Sequence, residues 1–165
     1  MHAHEVWQKS PPTLVHEILE ASYLGQKKLY RELVADMAAN LRKREQFLLK
    51  LPRSERHQLF HPLLGLPDFE LLGQNLLIVW LGQTQDAMLS AFLDHMGIKH
   101  DGKGYAESFP ESVEEARLKK AVTALYEAFP AEKVNIYLGV MERVSGVSWP
   151  ALAPLVRWPA DAPAV

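Results

Sequence analysis

The chain has 165 residues, of which 48% are hydrophobic and 23% are charged, with a formal net charge of −2 and no cysteine. This composition is typical of a folded globular protein of one domain, or of one domain with a tail, and it argues against a disordered chain. The lack of cysteine excludes disulfides, cysteine-bound zinc, iron–sulfur clusters and thiol nucleophiles.

The first ten residues carry neither the positive stretch nor the apolar core of a secretory signal. The longest apolar run, Leu76 to Leu81, is far shorter than the roughly 20 residues that span a bilayer. We therefore expect a cytoplasmic protein that makes no membrane contact. Residues 1–10 are predicted to be a flexible lead into a helical domain of residues 11–146.

The clearest periodic pattern runs from Gln26 to Leu51. Its apolar positions step alternately by four and three residues, with one charged break, at Tyr30, Val34, Met37, Leu41, Arg44, Leu48 and Leu51. This spacing is typical of a heptad seam, and no Gly or Pro interrupts it. We predict one long helix that ends at Pro52, with its seam packed either inside the domain or against a second copy of the chain.

Further helices are predicted on both sides of this segment. Before it, Ser10 is expected to cap a helix whose first turn holds Pro11 and Pro12. After it, we expect a short helix over 54–64, a helix capped by Asp68, and a helix that Gly97 ends. A capping box of Ser112 and Glu115 predicts the next helix, and Pro130 opens a last helix that Gly146 ends.

The fold class that follows is all-α: a single-domain bundle of about six to seven helices. The alternative is an α+β fold, because the run at 76–81 also suits a buried strand and the apolar residues of 134–141 alternate with a period of two. The loop around Asp101 contains Gly102 and Gly104, which predict turns that require a positive φ.

Residues 147–165 are predicted to be an extended, Pro- and Trp-rich tail. The eight residues from Trp149 recur from Trp158 with six identities at an offset of nine. Their prolines disfavour both helix and strand, and tryptophans spaced by prolines can anchor a segment on an apolar groove. The tail is therefore expected to dock on the protein's own helices or on a protein partner, unless the repeat is accidental.

Histidine and aspartate are the candidate metal ligands. His57 and His61 are four residues apart, which places both rings on one face of a helix, a spacing that can chelate zinc. His95, His100 and Asp101 would add ligands from a later helix end and its loop. The alternative is that these are ordinary surface and helix-end residues, since Gln58 stands where a zinc protease has its glutamate.

No catalytic or nucleotide-binding signature is present: there is no nucleophile elbow and no P-loop. The leading hypothesis is a non-enzymatic interaction or regulatory protein without a cofactor, self-associating through the 30–51 seam. The seam residues expected at the interface are Tyr30, Met37, Leu41, Arg44 and Leu48, with Trp149 and Trp158 binding a partner from the tail. The alternatives are a divalent-metal protein or metal-dependent enzyme, and a binder of small apolar ligands.

Charge is unevenly distributed along the chain. Residues 26–56 hold nine basic and four acidic side chains, although the whole chain is slightly acidic. Such a layout can steer self-association or an acidic partner. Nucleic acid is the less favoured partner, because long surface helices commonly carry Lys and Arg.

Overall fold

In a computed structural model, residues 1–158 are described, and in that range the chain forms nine α-helices, two 3₁₀ turns and no strand. The all-α prediction is confirmed, and both segments that suited strands, 76–81 and 134–141, are helical. The helices form two compact units, one of residues His2–Thr84 and one that starts at Gln85 and includes Met1. No single described helix has the length and apolar character of a membrane span, although two consecutive segments, Pro67–Thr84 and Asp86–Met96, pass that test when joined.

The N-terminal unit contains six helices. They are α1 (Ala3–Lys9), α2 (Pro12–Gly25), α3 (Lys27–Asn40), α4 (Glu45–Lys50), α5 (Arg53–Leu64) and α6 (Glu70–Thr84). Helices α5 and α6 each pack against both α1 and α2, while α3 packs against α2 and α4. The core of this unit therefore lies between α2, α5 and α6.

Residues 1–10 are not the flexible lead that the sequence suggested. Helix α1 buries Ala3, Val6 and Trp7, with the Trp7 side chain fully enclosed. Its indole fits against α6 because Gly73 has no side chain: a Cβ there would lie 2.7 Å from Trp7 Nε1. An apolar anchor within the first ten residues is enough to hold a short helix that would not form alone.

The predicted long helix over 26–51 is wrong, because α3 ends at Asn40 and α4 begins at Glu45. Arg42 has a φ of 51°, and the amides of Arg42 and Lys43 donate to the carbonyls of Ala39 and Ala38. This is the hydrogen-bond pattern of a Schellman motif, in which the left-handed position usually holds glycine. The break could not be predicted from the sequence, because arginine occupies the position where a glycine would have indicated the end of a helix.

Arg56 secures the segment after the break. Its buried guanidinium donates to the carbonyls of Leu48, Leu49 and Leu51 at 2.8, 2.9 and 3.1 Å, and to the Tyr30 hydroxyl at 2.9 Å. Those carbonyls lie in the last turn and at the C-cap of α4, where few amides of the helix remain to donate to them; among them, only Leu48 also accepts from a backbone amide, that of Leu51, at 3.2 Å. Arg56 thus satisfies them and fixes α4 on α5.

Several predicted helix starts are displaced, while two predicted ends are confirmed. Ser10 ends α1 instead of capping α2, and Asp68 lies in a 3₁₀ turn that precedes α6. Ser112 does not cap the next helix, which begins at Glu115. Gly97 and Gly146 both take the left-handed conformation after a helix, at φ of 65° and 72°. Helix ends marked by a left-handed glycine were therefore easier to predict from the sequence than helix starts marked by a capping side chain.

The C-terminal unit contains α7 (Asp86–Met96), α8 (Glu115–Ala128) and α9 (Ala131–Ser145), with α8 packed against α7 and α9. Every residue of 134–141 is buried, which explains why the apolar pattern of α9 resembled a strand. A helix enclosed on all sides loses the 3.6-residue period. In the loop between α7 and α8, Gly102 and Gly104 have φ of 83° and 88°, as the turn prediction required.

The described part of the tail docks on its own unit. The Trp149 side chain is buried, its Nε1 donates to the carbonyl of Pro110 at 3.0 Å, and its backbone amide donates to Glu142 at 2.9 Å. Residues 153–155 form a 3₁₀ turn, so this part is not extended throughout. The second copy of the repeat, from residue 159 onward, lies outside the described residues.

Candidate metal centre

The predicted metal ligands are divided between the two units. His57 and His61 lie on α5, whereas His95, His100 and Asp101 lie on α7 and the loop after it. His95 is exposed, and the ring of His100 is 2.9 Å from Asp94 through Nε2. Asp101 accepts from the amides of the loop residues 103 and 105, which hold the pKa of its carboxyl below the ordinary value. These three residues are therefore explained by local structure.

One cluster in the N-terminal unit has the composition of a metal site. His16 and Glu20, one turn apart on α2, face His57 on α5, and their ligand atoms all lie within 4.8 Å of one another. The Nδ1 atoms of the two histidines are 2.8 Å apart. His57 is fully buried and the other two are half-buried. Two imidazoles and a carboxylate are a ligand set that zinc and similar ions accept.

A hydrogen-bond chain runs behind this cluster from Arg56 through Tyr30 to His57. Arg56 donates to the Tyr30 hydroxyl at 2.9 Å, and that oxygen is 2.9 Å from His57 Nε2. A guanidinium has no acceptor, so the hydroxyl proton of Tyr30 is left to point at Nε2. His57 then carries its proton on Nδ1 and donates it to His16. This is the arrangement in which the Tyr30 hydroxyl proton and the His57 ring proton both have an acceptor, and it predicts the Nδ1–H tautomer for the metal-free His57.

Burial and charge together keep His57 neutral. Desolvation of the ring, followed by electrostatic interactions with His16, Arg56 and Arg53, lowers the pKa of His57 to about 3. Burial also raises the pKa of Tyr30, although the hydrogen bond from Arg56 opposes that effect. A neutral imidazole presents a lone pair on one nitrogen, and a metal needs that lone pair.

Glu20 is held by a cation as well as facing the histidines. Arg53 Nε donates to Glu20 Oε1 at 2.7 Å, and this carboxylate raises the pKa of Arg53. The guanidinium of Arg53 also lies over the ring of Tyr23, 4.4 Å from its centroid. An arriving metal ion would therefore compete with Arg53 for Glu20.

A surface cleft of about 350 Å³ opens beside the two histidines. Its remaining walls are formed by Pro12, Thr13 and Val15 of α2 and by Ser54, Gln58 and His61 of α5. The i,i+4 pair of His57 and His61 predicted from the sequence thus faces one cleft. His61 Nε2 is 2.9 Å from the carbonyl oxygen of Trp7, which can only accept, so this nitrogen carries the proton.

A second cluster, His2, His4 and Glu70, is explained as the cap of α1. The Glu70 carboxylate accepts from the amides of Ala3 and His4 at 2.9 and 3.0 Å, and His4 Nδ1 is 2.7 Å from it. An acidic group at a helix start satisfies the open amides and complements the helix dipole. Both carboxylate oxygens are used in this way, so the cluster requires no metal to account for it.

The predicted partner-binding residues are mostly inside the protein. Tyr30, Met37 and Leu48 are buried within the N-terminal unit, and Trp149 is buried within the C-terminal one. The other three residues named for a partner differ in exposure: Leu41 and Trp158 are half-buried and Arg44 is exposed. The buried residues of the seam thus belong to the core of their own unit. Self-association through the seam, and binding of a partner through the tail, remain predictions.

Sequence reasoning missed His16 and Glu20. Their i,i+4 spacing is the same signal that singled out His57 and His61. Comparisons of the chain with protein-family models, with curated proteins and with solved structures give no match. Function is therefore inferred from the geometry of this cluster.

Proposed function

We propose that this protein binds a divalent transition-metal ion through His16, His57 and Glu20. The observation that carries the proposal is the 2.8 Å approach of the two Nδ1 atoms beside a carboxylate. Two imidazole nitrogens on one tetrahedral ion stand roughly 3.3 Å apart, given metal–nitrogen bonds of about 2.0–2.1 Å. The rings need to separate by only a few tenths of an ångström to admit the ion.

The outer contacts of His57 also suit a metal ligand. A ligating histidine commonly donates its second ring N–H to an oxygen, which fixes the ring. The Tyr30 hydroxyl is placed for this role, 2.9 Å from Nε2. Metal binding would move the His57 proton from Nδ1 to Nε2 without releasing it, because the ring is neutral beforehand.

Neighbouring positive charges are expected to lower the affinity of this site for a metal ion. Arg53 shares Glu20 with the ion, and Arg56 lies one hydroxyl away from His57. Both repel a metal, so we expect a weaker site than a closed structural zinc centre. Arg53→Gln releases Glu20 and should tighten metal binding by about two- to fivefold, the small factor expected for a partly exposed ion pair.

The test uses untagged protein stripped with a chelator and titrated calorimetrically with Zn²⁺, Co²⁺ and Ni²⁺. We expect one ion per chain, with an affinity that His16→Ala lowers by about tenfold or more. His95→Ala is the matched control, because His95 is exposed on the other unit. An affinity that His16→Ala leaves unchanged would refute the site, as would the failure of all three ions to bind.

A second readout separates ligation from incidental binding. Nitrogen-15 NMR of the imidazoles distinguishes the two neutral tautomers of His57. The expected result is an Nδ1–H tautomer in the stripped protein that becomes Nε2–H when zinc is added. Tyr30→Phe removes the acceptor and should weaken zinc binding by about tenfold, whereas Tyr137→Phe, a buried tyrosine of the other unit, should not.

A further inference from the structure

We infer that the cleft beside His16 and His57 takes a small carboxylate with a compact apolar body, whose carboxylate binds the metal. This inference rests on the proposed metal site and names the ligand of that site. Three observations carry it: the direction in which the site is open, the charge around it, and the character of the cleft walls.

The site is open toward the cleft. His16 and His57 both line the cleft, whereas Glu20, one turn further along α2, is not among its walls. A set of two histidines and one carboxylate leaves at least one position on a zinc-like ion for an exogenous ligand. With Glu20 behind the ion, that position faces the cleft.

The charge around the site selects an anion. A divalent ion joins one carboxylate, Glu20, in a cluster where Arg53 and Arg56 are already positively charged. The loaded site therefore carries an excess of positive charge, and an anionic ligand relieves it. Because Arg56 uses its hydrogen bonds on backbone carbonyls and Tyr30, the ligand is expected to bind the ion and not Arg56.

The cleft walls select the rest of the ligand. The surface that lines the cleft is mostly apolar, and Pro12 and Val15 contribute to it from α2. A volume of about 350 Å³ is at the small end of ligand sites, so it suits one ring or a short chain. His61 lines the opposite wall of the cleft. Its Nε2–H donates a hydrogen bond to the carbonyl of Trp7, which leaves Nδ1 as an acceptor for a polar group on the ligand.

The test begins with protein loaded with Co²⁺, whose visible spectrum reports directly on its ligands. The probes are benzoate, its neutral counterpart benzamide, and acetate, which has the charge without the ring. We expect benzoate to change the cobalt spectrum and to bind at least about tenfold more tightly than either of the others. Metal-free protein should bind benzoate far more weakly.

Substitutions on α5 test the location. Gln58→Trp fills the cleft from an exposed position and should abolish benzoate binding while keeping cobalt. Glu55→Trp is the matched control, because Glu55 is exposed on the same helix and is not one of the cleft walls. It should keep both cobalt and benzoate.

The outcomes distinguish the two proposals. If cobalt binds but benzoate binds no better than benzamide, the ligand inference is overturned and the metal site stands. The ligand inference is also overturned if Gln58→Trp leaves benzoate binding intact, or if benzoate binds equally without cobalt. If cobalt does not bind at all, the proposed function fails and the ligand inference fails with it.

Discussion

The low pKa of His57 makes a quantitative prediction about stability in acid. In the unfolded chain this imidazole titrates near the ordinary value of 6.5, whereas in the folded unit its pKa is lowered to about 3. Between these two values the unfolded chain binds more protons than the folded one. The free energy of unfolding therefore rises with pH across this window, and it falls when the solution is acidified below about pH 6.5.

The magnitude follows from the linkage relation. Each pH unit inside the window is worth up to about 1.36 kcal/mol for one group. A fall from pH 7 to pH 5 covers about 1.5 units of the window, which gives an upper value of about 2 kcal/mol. His57 also lines a cleft that water reaches, so screening reduces the expected loss to about 1–2 kcal/mol.

The assay is urea unfolding of chelator-treated protein between pH 7 and pH 5, compared with His57→Gln. Glutamine cannot titrate, so the difference in pH slope between the two proteins isolates His57 from the other histidines. Trp7 and Trp80, both fully buried in the same unit as His57, contribute the fluorescence change. We expect wild type to lose about 1–2 kcal/mol more than the variant over this range.

Parallel pH profiles for the two proteins would refute the reasoning. If the variant fails to fold, NMR titration of the wild-type ring decides instead. A protonation midpoint for His57 below pH 4 supports the buried, positively charged surroundings described above, and a midpoint near 6.5 contradicts them.

Three further predictions concern stability and use urea unfolding. Arg42→Gly should stabilise the protein by about 0.5–1 kcal/mol, because glycine adopts the positive φ without strain; a loss would contradict the Schellman assignment. Gly97→Ala should cost about 1–2 kcal/mol at its left-handed position, whereas Gly82→Ala, with open space around it inside α6, should gain about 0.5 kcal/mol. Trp149→Ala should lower the free energy of unfolding by about 3–5 kcal/mol, because the Trp149 side chain is buried. If this loss is no larger than that of Trp158→Ala, the tail is not docked through Trp149.

The candidate site was predictable only in part. The spacing of His57 and His61 placed both on one helix face, and both line the cleft. His95, His100 and Asp101 were grouped with them on residue type alone, and local contacts explain them. His16 was missed because the pairing of its ring with His57 depends on how α2 and α5 are rotated against each other, which neither helix encodes by itself.

The sequence by itself determined the helical class, because apolar residues recur at helical spacing in most segments and glycines mark several ends. It also determined what chemistry is available, since histidine and carboxylate are the only strong metal ligands in a chain without cysteine. Tertiary structure decided the break at 41–44 and the burial of 134–141. It also decided the contact between His16 and His57 across two helices. The physical reason is that packing between helices determines where an unusual backbone conformation is tolerated, how helices are rotated against each other and which side chains become neighbours, and no local sequence pattern specifies these.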